Sequence, residues 1–441
     1  MKEKHSFQNG VMSMNGSSST LSCDILILGG GSAGAAAAWA ASAPGISVVL
    51  AEKSGRLGGT ATTGLVSTLC GCYSSVGERR KISGGARDAL AAELKSLGGL
   101  EEGVNRKTHR SDICDPELLA CALDRMVLRS GTELLLSTLV TGASFDGGRL
   151  RSVETVNTES GSRTIILPRI AVDAAGKALL APHAPSGAVL SPEGGKLQAA
   201  TLVFRMDSVD GERARTVSKD RIAELMAEAR EKGDITQERG NGVLTVLPCG
   251  TAAIVNANWV KADPAVPGDV TAGLTGGREK VLENARFFRK YVPGFEKAVL
   301  SCIAPALGVR EASRTECACT LTEEDIMEGR LFPDAVCVGS WPMEYHDLER
   351  NRLVYRWSGK DYTIPYRALL PRGMDNVLAA GRNISVTSGA YASSRVMGQC
   401  LATGHAAGTA ARLALRSGSL PRELDRDLLR KNLLDEGAVL E

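Results

Sequence analysis

The feature that most constrains the fold is a glycine-rich turn near the start of the chain, between an apolar stretch and an alanine-rich one. The sequence DILILGGGSAGAAAAWAA predicts a buried strand over 24–28 and, after the turn, a helix over 33–43. A second apolar stretch predicts another strand over 46–51, separated from the helix by Pro44 and Gly45. Strand, helix and strand in this order form a βαβ unit, so we predict an α/β fold.

The glycines of this turn, Gly29, Gly31 and Gly34, have the spacing GxGxxG. The first permits a tight turn, the second lets a pyrophosphate approach the backbone, and the third lets the helix pack closely on the strand. The helix N-terminus offers free N–H groups to the phosphates. Glu52 ends the second strand, where its carboxylate can accept hydrogen bonds from ribose hydroxyls. GxGxxG alone also occurs as a plain glycine turn in α/β sheets, but in this setting it predicts a dinucleotide-binding site.

Length, charge and cysteine content exclude several classes of protein. A chain of 441 residues can bury a large core and form two domains. Its formal net charge of +2 provides no broad field for nucleic acid or an anionic membrane. The eleven cysteines are odd in number and irregularly spaced, and we recognise no secretory leader, so we expect a reducing cytoplasm. Glycines and Pro44 interrupt the apolar residues 25–50, so we predict no membrane span.

The remaining patterns predict a change from helices to short strands along the chain. After helices over 87–97 and 116–130, the turn sequences DGG and ESG between 133 and 167 predict a three-stranded β-meander. IAVDAAG then predicts one more strand that ends in a glycine turn. The Pro- and Gly-rich stretch 181–195 predicts the exit to a second domain, and residues 196–370 mix strand and helix patterns as α+β domains do.

A second glycine-containing stretch lies near the other end of the chain. Residues 376–411, NVLAAGRNISVTSGAYASSRVMGQCLATGHAAGTAA, predict a short strand, a turn, a polar loop and a helix of small residues. The stretch lacks both GxGxxG and a terminal acid, so it does not predict a second nucleotide-binding fold. We interpret it as the returning strand and helix of the first one.

These stretches, together with VVLAEKSGRLGGTATTGLV and AVDAAG, resemble the FAD-dependent oxidoreductases of the glutathione-reductase-like superfamily. The subgroup they resemble is that of stand-alone flavoproteins related to fumarate-reductase flavoproteins. The resemblance implies a Rossmann-like FAD-binding domain with a three-stranded β-meander, plus an inserted α+β substrate domain. The segments we predict are a disordered leader over 1–22, the FAD-binding domain over 23–185 and 371–441, and the substrate domain over 186–370.

The resemblance also implies an FAD site formed by both ends of the chain. In the first part the implied contacts are Gly29, Gly31, Ser32, Ala33 and Gly34 for the pyrophosphate, Glu52 for the ribose, Lys53 and Arg56 beside the adenosine, Gly58, Gly59, Thr60, Ala61 and Thr62 under the ribityl chain, and Val140 for the adenine. In the rest they are Ala174, Ala175 and Gly176 at the pyrophosphate, Gly381 and Arg382 beside the ribityl and phosphate groups, and Met397 and Gln399 near the flavin ring. A helix N-terminus at that ring stabilises the negative charge of the reduced flavin.

Three residues are candidates for the chemistry beside the flavin. His346 follows a loop-like aromatic stretch, and an imidazole can take a proton while a flavin accepts a hydride. The alternative for His346 is a structural histidine paired with Asp347. The resemblance suggests that Tyr391 and Arg395 face the substrate side of the ring, although either could equally support the site from behind.

Cys70 is a fourth candidate, because only one residue separates it from Cys72 after the loop expected near the flavin. A dithiol there would indicate disulfide exchange, but the ring of a CxC disulfide is strained. The alternative is that both are small buried hydrophobic residues, as for Cys317 and Cys319. Zinc sites favour wider spacing than CxC, so we predict no metal.

We therefore predict an FAD-dependent oxidoreductase, a dehydrogenase that transfers a hydride between a small organic substrate and flavin N5. The alternatives are a flavoprotein electron-transfer subunit, a thiol/disulfide redox protein using Cys70 and Cys72, and an NAD-binding protein or a flavin-binding structural protein without turnover. The sequence leaves the substrate, the electron acceptor or donor and homo-oligomerisation open.

Overall fold

The computed structural model describes residues 19–106, 108–193, 197–236, 243–347 and 352–441. Its strands are β1 Ser19–Leu28, β2 Val48–Ala51, β3 Thr68–Leu69, β4 Leu100–Asn105, β5 Arg110–Cys114, β6 Glu133–Leu135, β7 Thr138–Asp146, β8 Arg149–Asn157, β9 Arg163–Asp173, β10 Val189–Leu190, β11 Phe204–Asp207, β12 Val243–Val246, β13 Ala252–Asn256, β14 Val299–Ile303, β15 Arg314–Thr315, β16 Ala335–Gly339, β17 Met343–Asp347, β18 Arg352–Arg356, β19 Tyr362–Pro365 and β20 Val377–Ala379. Its α-helices are α1 Ser32–Ala41, α2 Ala86–Ser96, α3 Pro116–Arg129, α4 Gly211–Arg215, α5 Lys219–Glu231, α6 Pro267–Tyr291, α7 Glu323–Glu328, α8 Ser388–Ser394, α9 Met397–Ser417 and α10 Arg426–Asp435.

The largest sheet has the strand order β6-β2-β1-β9-β8-β7, and β20 pairs with β9 as well. β1 runs parallel to β2 and β9, and β20 runs parallel to β9, whereas β7, β8 and β9 are joined antiparallel as a meander. The parallel part is buried on both faces, as its continuous apolar strands require: α1 and α9 cover one face, and the meander with residues 178–184 covers the other. The predicted Rossmann-like α/β fold with a three-stranded meander is confirmed.

Two predicted boundaries in this sheet are wrong. β1 begins at Ser19, so residues 19–22 belong to the sheet and not to a leader; residues 1–18 lie outside the described part. The third strand of the meander and the strand of IAVDAAG are one strand, β9. Pro168 does not interrupt β9, because it lies in a gap between two partners on the edge of β9 opposite β1. On that edge, pairing with β8 ends at Ile166 and pairing with β20 begins at Ala171. No ladder partner on that side needs an N–H from the proline.

The predicted return of the chain to its first fold unit takes the form of close packing between α1 and α9. A Cβ atom on Gly404 would overlap the carbonyl oxygen of Ala33, and one on Gly408 would overlap that of Ala37. Because the two glycines and the two alanines are each four residues apart, they face each other along one stripe of each helix. The absence of side-chain atoms lets the two backbones touch, and this contact fixes α9 against the start of α1.

The middle of the chain forms a separate hydrophobic core around a four-stranded antiparallel sheet of order β12-β13-β11-β14. Helices α5 and α6 cover it, and Phe204, Phe287, Phe288 and Phe295 are among its fully buried side chains. The predicted α+β character is confirmed, while the domain limits at 185 and 370 stay a prediction. Helix α6 is longer than an apolar pattern alone would indicate, because its glycine-rich first half has no clear apolar period.

Membrane crossing requires a helix that is both long and apolar. None of the helices within the described ranges meets both conditions.

We predict that Gly404→Ala lowers the free energy of unfolding by about 1–3 kcal/mol, because the new methyl group forces α9 away from Ala33. Gly276→Ala is the matched control, since its methyl group meets no atom within 4 Å on the exposed face of α6. In a helix interior that replacement should be neutral or stabilising by up to about 1 kcal/mol. Chemical denaturation monitored by circular dichroism measures both. Equal stabilities of the two variants would show that the backbone contact is unimportant.

Candidate active site

The loops predicted to hold a dinucleotide meet at one edge of the parallel sheet. Gly29 follows β1, Ala174 follows β9, and Gly381 follows β20 after one residue. The Ala174 N–H donates to the Leu28 carbonyl oxygen at 2.9 Å, and the Ala380 N–H donates to that of Asp173 at 3.0 Å. The carboxyl edge of a parallel sheet is where α/β proteins bind ligands. The two ends of the chain therefore contribute adjacent loops to one edge.

The three glycines of GxGxxG have different surroundings. Gly29 has φ of +91°, and a Cβ there would lie 2.7 Å from the Ala175 Cα. A Cβ on Gly34 would overlap the Gly29 carbonyl oxygen. Gly31 instead faces open space, because a Cβ there would meet no protein atom within 4 Å. The first and third glycines are needed for packing, whereas the second leaves the approach to the backbone free for a ligand.

The N-terminus of α1 points to this open space and lacks any side-chain cap. Gly31 is the N-cap residue, and the first turn contains no acidic side chain. The N–H groups of Ser32, Ala33 and Gly34 therefore retain their donor capacity and the positive end of the helix dipole. An anion is the group that best satisfies such a terminus.

Glu52 connects the turn to the next loop through its buried carboxylate. Oε2 accepts a hydrogen bond from the Gly30 N–H at 2.6 Å, and Oε1 accepts one from the Ser54 N–H at 2.9 Å. The Thr138 N–H donates to the Glu52 carbonyl oxygen at 2.8 Å. Val140 lies two residues further along β7. Each carboxylate oxygen keeps one lone pair for a further donor such as a ribose hydroxyl.

Of the predicted adenosine-side residues, Lys53 is exposed to solvent and Arg56 is held by an ion pair. Both Nη atoms of Arg56 donate to the Glu117 carboxylate, at 2.8 and 3.1 Å. This pair ties the loop after β2 to the first turn of α3. Arg56 therefore lines the loop without presenting a free guanidinium.

The loop of residues 58–62 lies directly against the glycine turn. The Gly58 N–H donates to the Gly30 carbonyl oxygen at 2.8 Å, and a Cβ on Gly59 would lie 3.3 Å from the Gly31 Cα. Inside the loop, the Thr62 hydroxyl donates to the Leu57 carbonyl oxygen at 2.5 Å. Thr60 and Ala61 complete the short 3₁₀ turn Gly59–Ala61. The loop is thus positioned to continue the predicted site away from the pyrophosphate.

Arg382 and Gly176 face each other across the same edge. A Cβ on Gly176 would lie 2.7 Å from Arg382 Nη2, and Arg382 Nη1 donates to the Val309 carbonyl oxygen at 2.7 Å. Gly381 packs on α1, since a Cβ there would lie 2.6 Å from the Ala33 Cβ. These contacts place a guanidinium beside the turn that the sequence predicts to bind the pyrophosphate.

Asp173 is a residue that the sequence analysis missed, although it stands inside AVDAAG. Its carboxylate accepts hydrogen bonds from the backbone N–H groups of Ala175 at 3.2 Å and of Leu179 and Leu180 at 3.0 Å. Burial raises its pKa above the ordinary value. An acid at the end of a buried strand, just before a small-residue turn, is the signal that could have identified it. Asp173 holds the loop 174–180 in place.

The start of α9 packs against the turn that contains Cys70. The Gly398 N–H donates to the Cys70 carbonyl oxygen at 2.8 Å, and Gln399 Nε2 donates to the Gly71 carbonyl oxygen at 3.3 Å. The Gln399 side chain is fully buried, and its Oε1 has no hydrogen-bond partner within the described ranges. Met397 is half-buried beside it. This buried, unsatisfied amide oxygen indicates a missing donor next to the α9 N-terminus.

His346 lies on β17, a strand where the sequence suggested a loop, and its partner is Glu344. His346 Nε2 is 3.0 Å from Glu344 Oε1, so the predicted alternative of a pair with Asp347 is wrong. Residues two apart on a strand share a face, whereas neighbours point to opposite faces. Trp341 Nε1 donates to Glu344 Oε2 at 3.1 Å. Glu344 and Trp341 were both missed, and the pattern acid, any residue, histidine on a strand could have identified the first.

The protonation states within this pair follow from their surroundings. Burial, together with the positive charge of Arg310, lowers the pKa of His346 to about 3. Burial opposes ionisation of Glu344, but the hydrogen bond from His346 and the charge of Arg395 hold its pKa well below its ordinary value. At neutral pH the pair is therefore a neutral imidazole beside a carboxylate.

The two other candidates on α8 and its C-cap lie near this pair. Arg395 Nη2 donates to the Glu344 carbonyl oxygen at 3.2 Å, while its Nε is buried without a hydrogen-bond partner in the described part of the chain. Tyr391 is one helical turn earlier, and the Arg314 guanidinium lies 5.2 Å from its ring centroid. The Tyr391 hydroxyl is also buried without a partner among the described residues, and burial raises its pKa. His346 and Arg395 thus both contact Glu344, and Tyr391 lies on the helix that Arg395 caps.

The cysteine pair does not have the properties of a redox dithiol. Cys70 and Cys72 lie in a turn around Gly71, which has φ of +81°. Burial raises the pKa of Cys70 to about 12 and raises that of Cys72 further. Thiol–disulfide exchange requires a thiolate, so these surroundings disfavour it. Within the described residues, no group of three or more His, Cys, Asp or Glu side chains is arranged to hold a metal ion.

Comparison with known proteins extends over nearly the whole chain. The family model described as FAD dependent oxidoreductase matches residues 24–433. No curated protein matches the sequence. Similar solved structures include a geranylgeranyl bacteriochlorophyll reductase-like protein from Thermoplasma acidophilum, with 13% identity, a TM-score of 0.48 and coverage of 95% of this chain and 85% of that one. Glycine oxidase from Bacillus cereus has 13% identity, a TM-score of 0.45 and coverage of 95% and 98%. p-Nitrophenol 4-monooxygenase from Pseudomonas putida has 11% identity, a TM-score of 0.46 and coverage of 95% and 85%.

We predict that Cys70 and Cys72 resist alkylation in the native protein. With a pKa of about 12, only about one Cys70 in ten thousand is a thiolate at pH 8. Cys121 and Cys249 are exposed and serve as internal controls. Iodoacetamide labelling followed by peptide mass spectrometry should show rapid modification of these two and almost none of Cys70 or Cys72. Labelling of Cys70 as fast as of Cys121 would restore the dithiol alternative.

Proposed function

Because this chain belongs to the family of FAD-dependent oxidoreductases, we propose that it transfers a hydride between a small organic substrate and N5 of FAD. The observation that supports this reaction is a buried His346 held beside Glu344 and Arg395, whose Nδ1 has no hydrogen-bond partner among the residues that the structure describes. A group of this kind can remove a proton from a hydroxyl or amine while hydride leaves the adjacent carbon. Bound FAD supplies the hydride-accepting ring.

The residues at the sheet edge fit an FAD molecule. Gly31 leaves the backbone open and the uncapped start of α1 suits the pyrophosphate. Glu52 has lone pairs for the ribose, and Arg382 lies beside the phosphate turn. The unsatisfied Gln399 amide oxygen lies at the α9 N-terminus, where it can accept a hydrogen bond from a flavin N–H. The cofactor would therefore extend from the first part of the chain to the last.

In the proposed reaction, each candidate residue of this chain has a separate task. His346 takes the proton at Nδ1, and Arg395 offers its free Nε–H to an oxygen of the substrate. The buried Tyr391 hydroxyl is a further donor for the substrate. No comparable role remains for Cys70, since its thiol is protonated.

The organisation around this reaction is also part of the proposal. We assign FAD binding to residues 23–185 and 371–441 and substrate binding to the inserted residues 186–370. The eleven free cysteines support a cytoplasmic location.

We predict that Gly31→Ala weakens FAD binding at least about tenfold while leaving the stability of the apoprotein within about 0.5 kcal/mol. The added methyl group meets no protein atom but occupies the approach to the pyrophosphate. Titration of apoprotein with FAD, followed by flavin fluorescence, measures the affinity. Gly276→Ala controls for the chemical change and should bind FAD normally. Unchanged affinity in Gly31→Ala would contradict the proposed position of the pyrophosphate.

We predict that His346→Ala slows anaerobic reduction of the bound flavin by about 10²–10⁴-fold, the contribution of a general base. A panel of small alcohols, amines, hydroxy acids and amino acids is mixed with the holoprotein, and loss of flavin absorbance is followed. Cys70→Ser should react like the wild type. Dithionite reduction shows that each variant contains reducible FAD. The proposed role of His346 is wrong if His346→Ala is reduced as fast as the wild type by a compound that reduces the wild type.

A further inference from the structure

We propose that Glu344 is a positioning residue that fixes the protonation site of His346: it keeps the proton on Nε2, so that Nδ1 is the atom that accepts the substrate proton. This inference rests on the proposed function for its catalytic meaning, but the protonation site itself can be measured without any substrate.

The Glu344 carboxylate is held by donors on both oxygens. Oε2 accepts from Trp341 Nε1 at 3.1 Å. Oε1 lies 3.0 Å from His346 Nε2 and 3.5 Å from the Tyr355 hydroxyl. The Glu344 side chain is 16% exposed, and Arg395 binds its carbonyl oxygen. With these contacts the carboxylate cannot turn away from the imidazole without losing several hydrogen bonds.

The contact between the two side chains determines which nitrogen carries the proton. An ionised carboxylate can only accept hydrogen bonds, so the nitrogen that faces it must be a donor. A neutral imidazole has one N–H, which leaves Nδ1 with a lone pair. His346 is 5% exposed, and this Nδ1 has no partner among the described residues.

The backbone and the ring of His346 are held by further contacts. The His346 N–H donates to Gln198 Oε1 at 3.3 Å, and its carbonyl oxygen accepts from the Ala199 N–H at 3.1 Å. The Trp259 ring contacts the imidazole edge to face, with 5.8 Å between ring centroids. Among the described residues, the charged groups with the largest effect on His346 are Glu344, Arg310 and Arg395. Glu344 is the one among them that stabilises an imidazolium.

The proposed proton step is balanced within these groups. The O–H or N–H bond of the substrate breaks, its electron pair forms the new C=O or C=N bond, and the proton bonds to Nδ1. The electron pair of the adjacent C–H bond leaves with the hydride, which FAD accepts under the proposed function. Glu344 remains ionised and faces the imidazolium that forms.

Glu344→Gln separates this role from a merely structural one. The glutamine has the same shape, and its amide oxygen must take the Oε2 position, because Trp341 Nε1 donates there. The amide N–H group then faces Nε2, and that contact requires the imidazole proton to be on Nδ1. We expect the variant to fold as the wild type does and to present an N–H, in place of a lone pair, to the substrate. A carboxylate that only fills space would leave the protonation site unchanged.

The test is NMR spectroscopy of the FAD-loaded protein labelled with ¹⁵N-histidine, using two-bond ¹H–¹⁵N correlations at pH 7. His346→Asn identifies the signals of His346. The wild type should show protonated Nε2 and unprotonated Nδ1, and Glu344→Gln should show the reverse. His405, whose Nε2 is 2.8 Å from Glu436 Oε2, is an internal reference and should not change. A wild-type His346 protonated on Nδ1 or on both nitrogens overturns the proposal, as does an unchanged protonation site in Glu344→Gln.

Flavin reduction by any compound that reduces the wild type provides the second readout. Glu344→Gln should lower the rate at saturating substrate at least about tenfold, with little change in the half-saturating concentration. A changed protonation site with an unchanged rate overturns the role of Glu344 in the reaction. If no compound reduces the wild type, the proposed reaction fails, while the NMR result still decides whether Glu344 fixes the protonation site.

Discussion

Direct contact between the backbones of α1 and α9 is the interaction on which the rest of the structure depends. Gly404 and Gly408 touch the carbonyl groups of Ala33 and Ala37, and Gly381 packs on the same helix. This packing holds α9 beside the glycine-rich turn of residues 29–34. It also positions the α9 N-terminus at the turn that contains Cys70. Larger side chains at any of these positions would separate the two halves of the proposed FAD site.

The site divides into two parts that rely on different chemistry. In the proposed site, the sheet edge offers FAD mainly backbone N–H groups and glycines, so binding there would depend on exact loop positions more than on charged side chains. The proposed reaction depends instead on buried side chains of β17 and α8, where Glu344 and His346 meet Arg395. Burial strengthens the interactions among these groups and keeps His346 neutral.

Local sequence signals predicted the elements whose structure is determined locally. The glycine spacing identified the βαβ unit, and α3 begins at Pro116 as predicted, where the Asp115 carboxylate accepts hydrogen bonds from two backbone N–H groups. Long-range pairing was harder to predict. The sequence does not show that β9 exchanges one neighbour for another at Pro168, or that residues 19–22 have a partner strand. Glu344 was missed because the sequence around His346 was interpreted as a loop, in which the two-residue spacing has no structural meaning.

Hydrogen exchange measured by mass spectrometry, on apoprotein and FAD-loaded protein, tests most directly whether both chain ends form one cofactor site. We predict that FAD slows hydrogen exchange in peptides that cover residues 29–34 and also in peptides that cover residues 381–399. Slower exchange over 29–34 alone, with 381–399 unchanged, would contradict it.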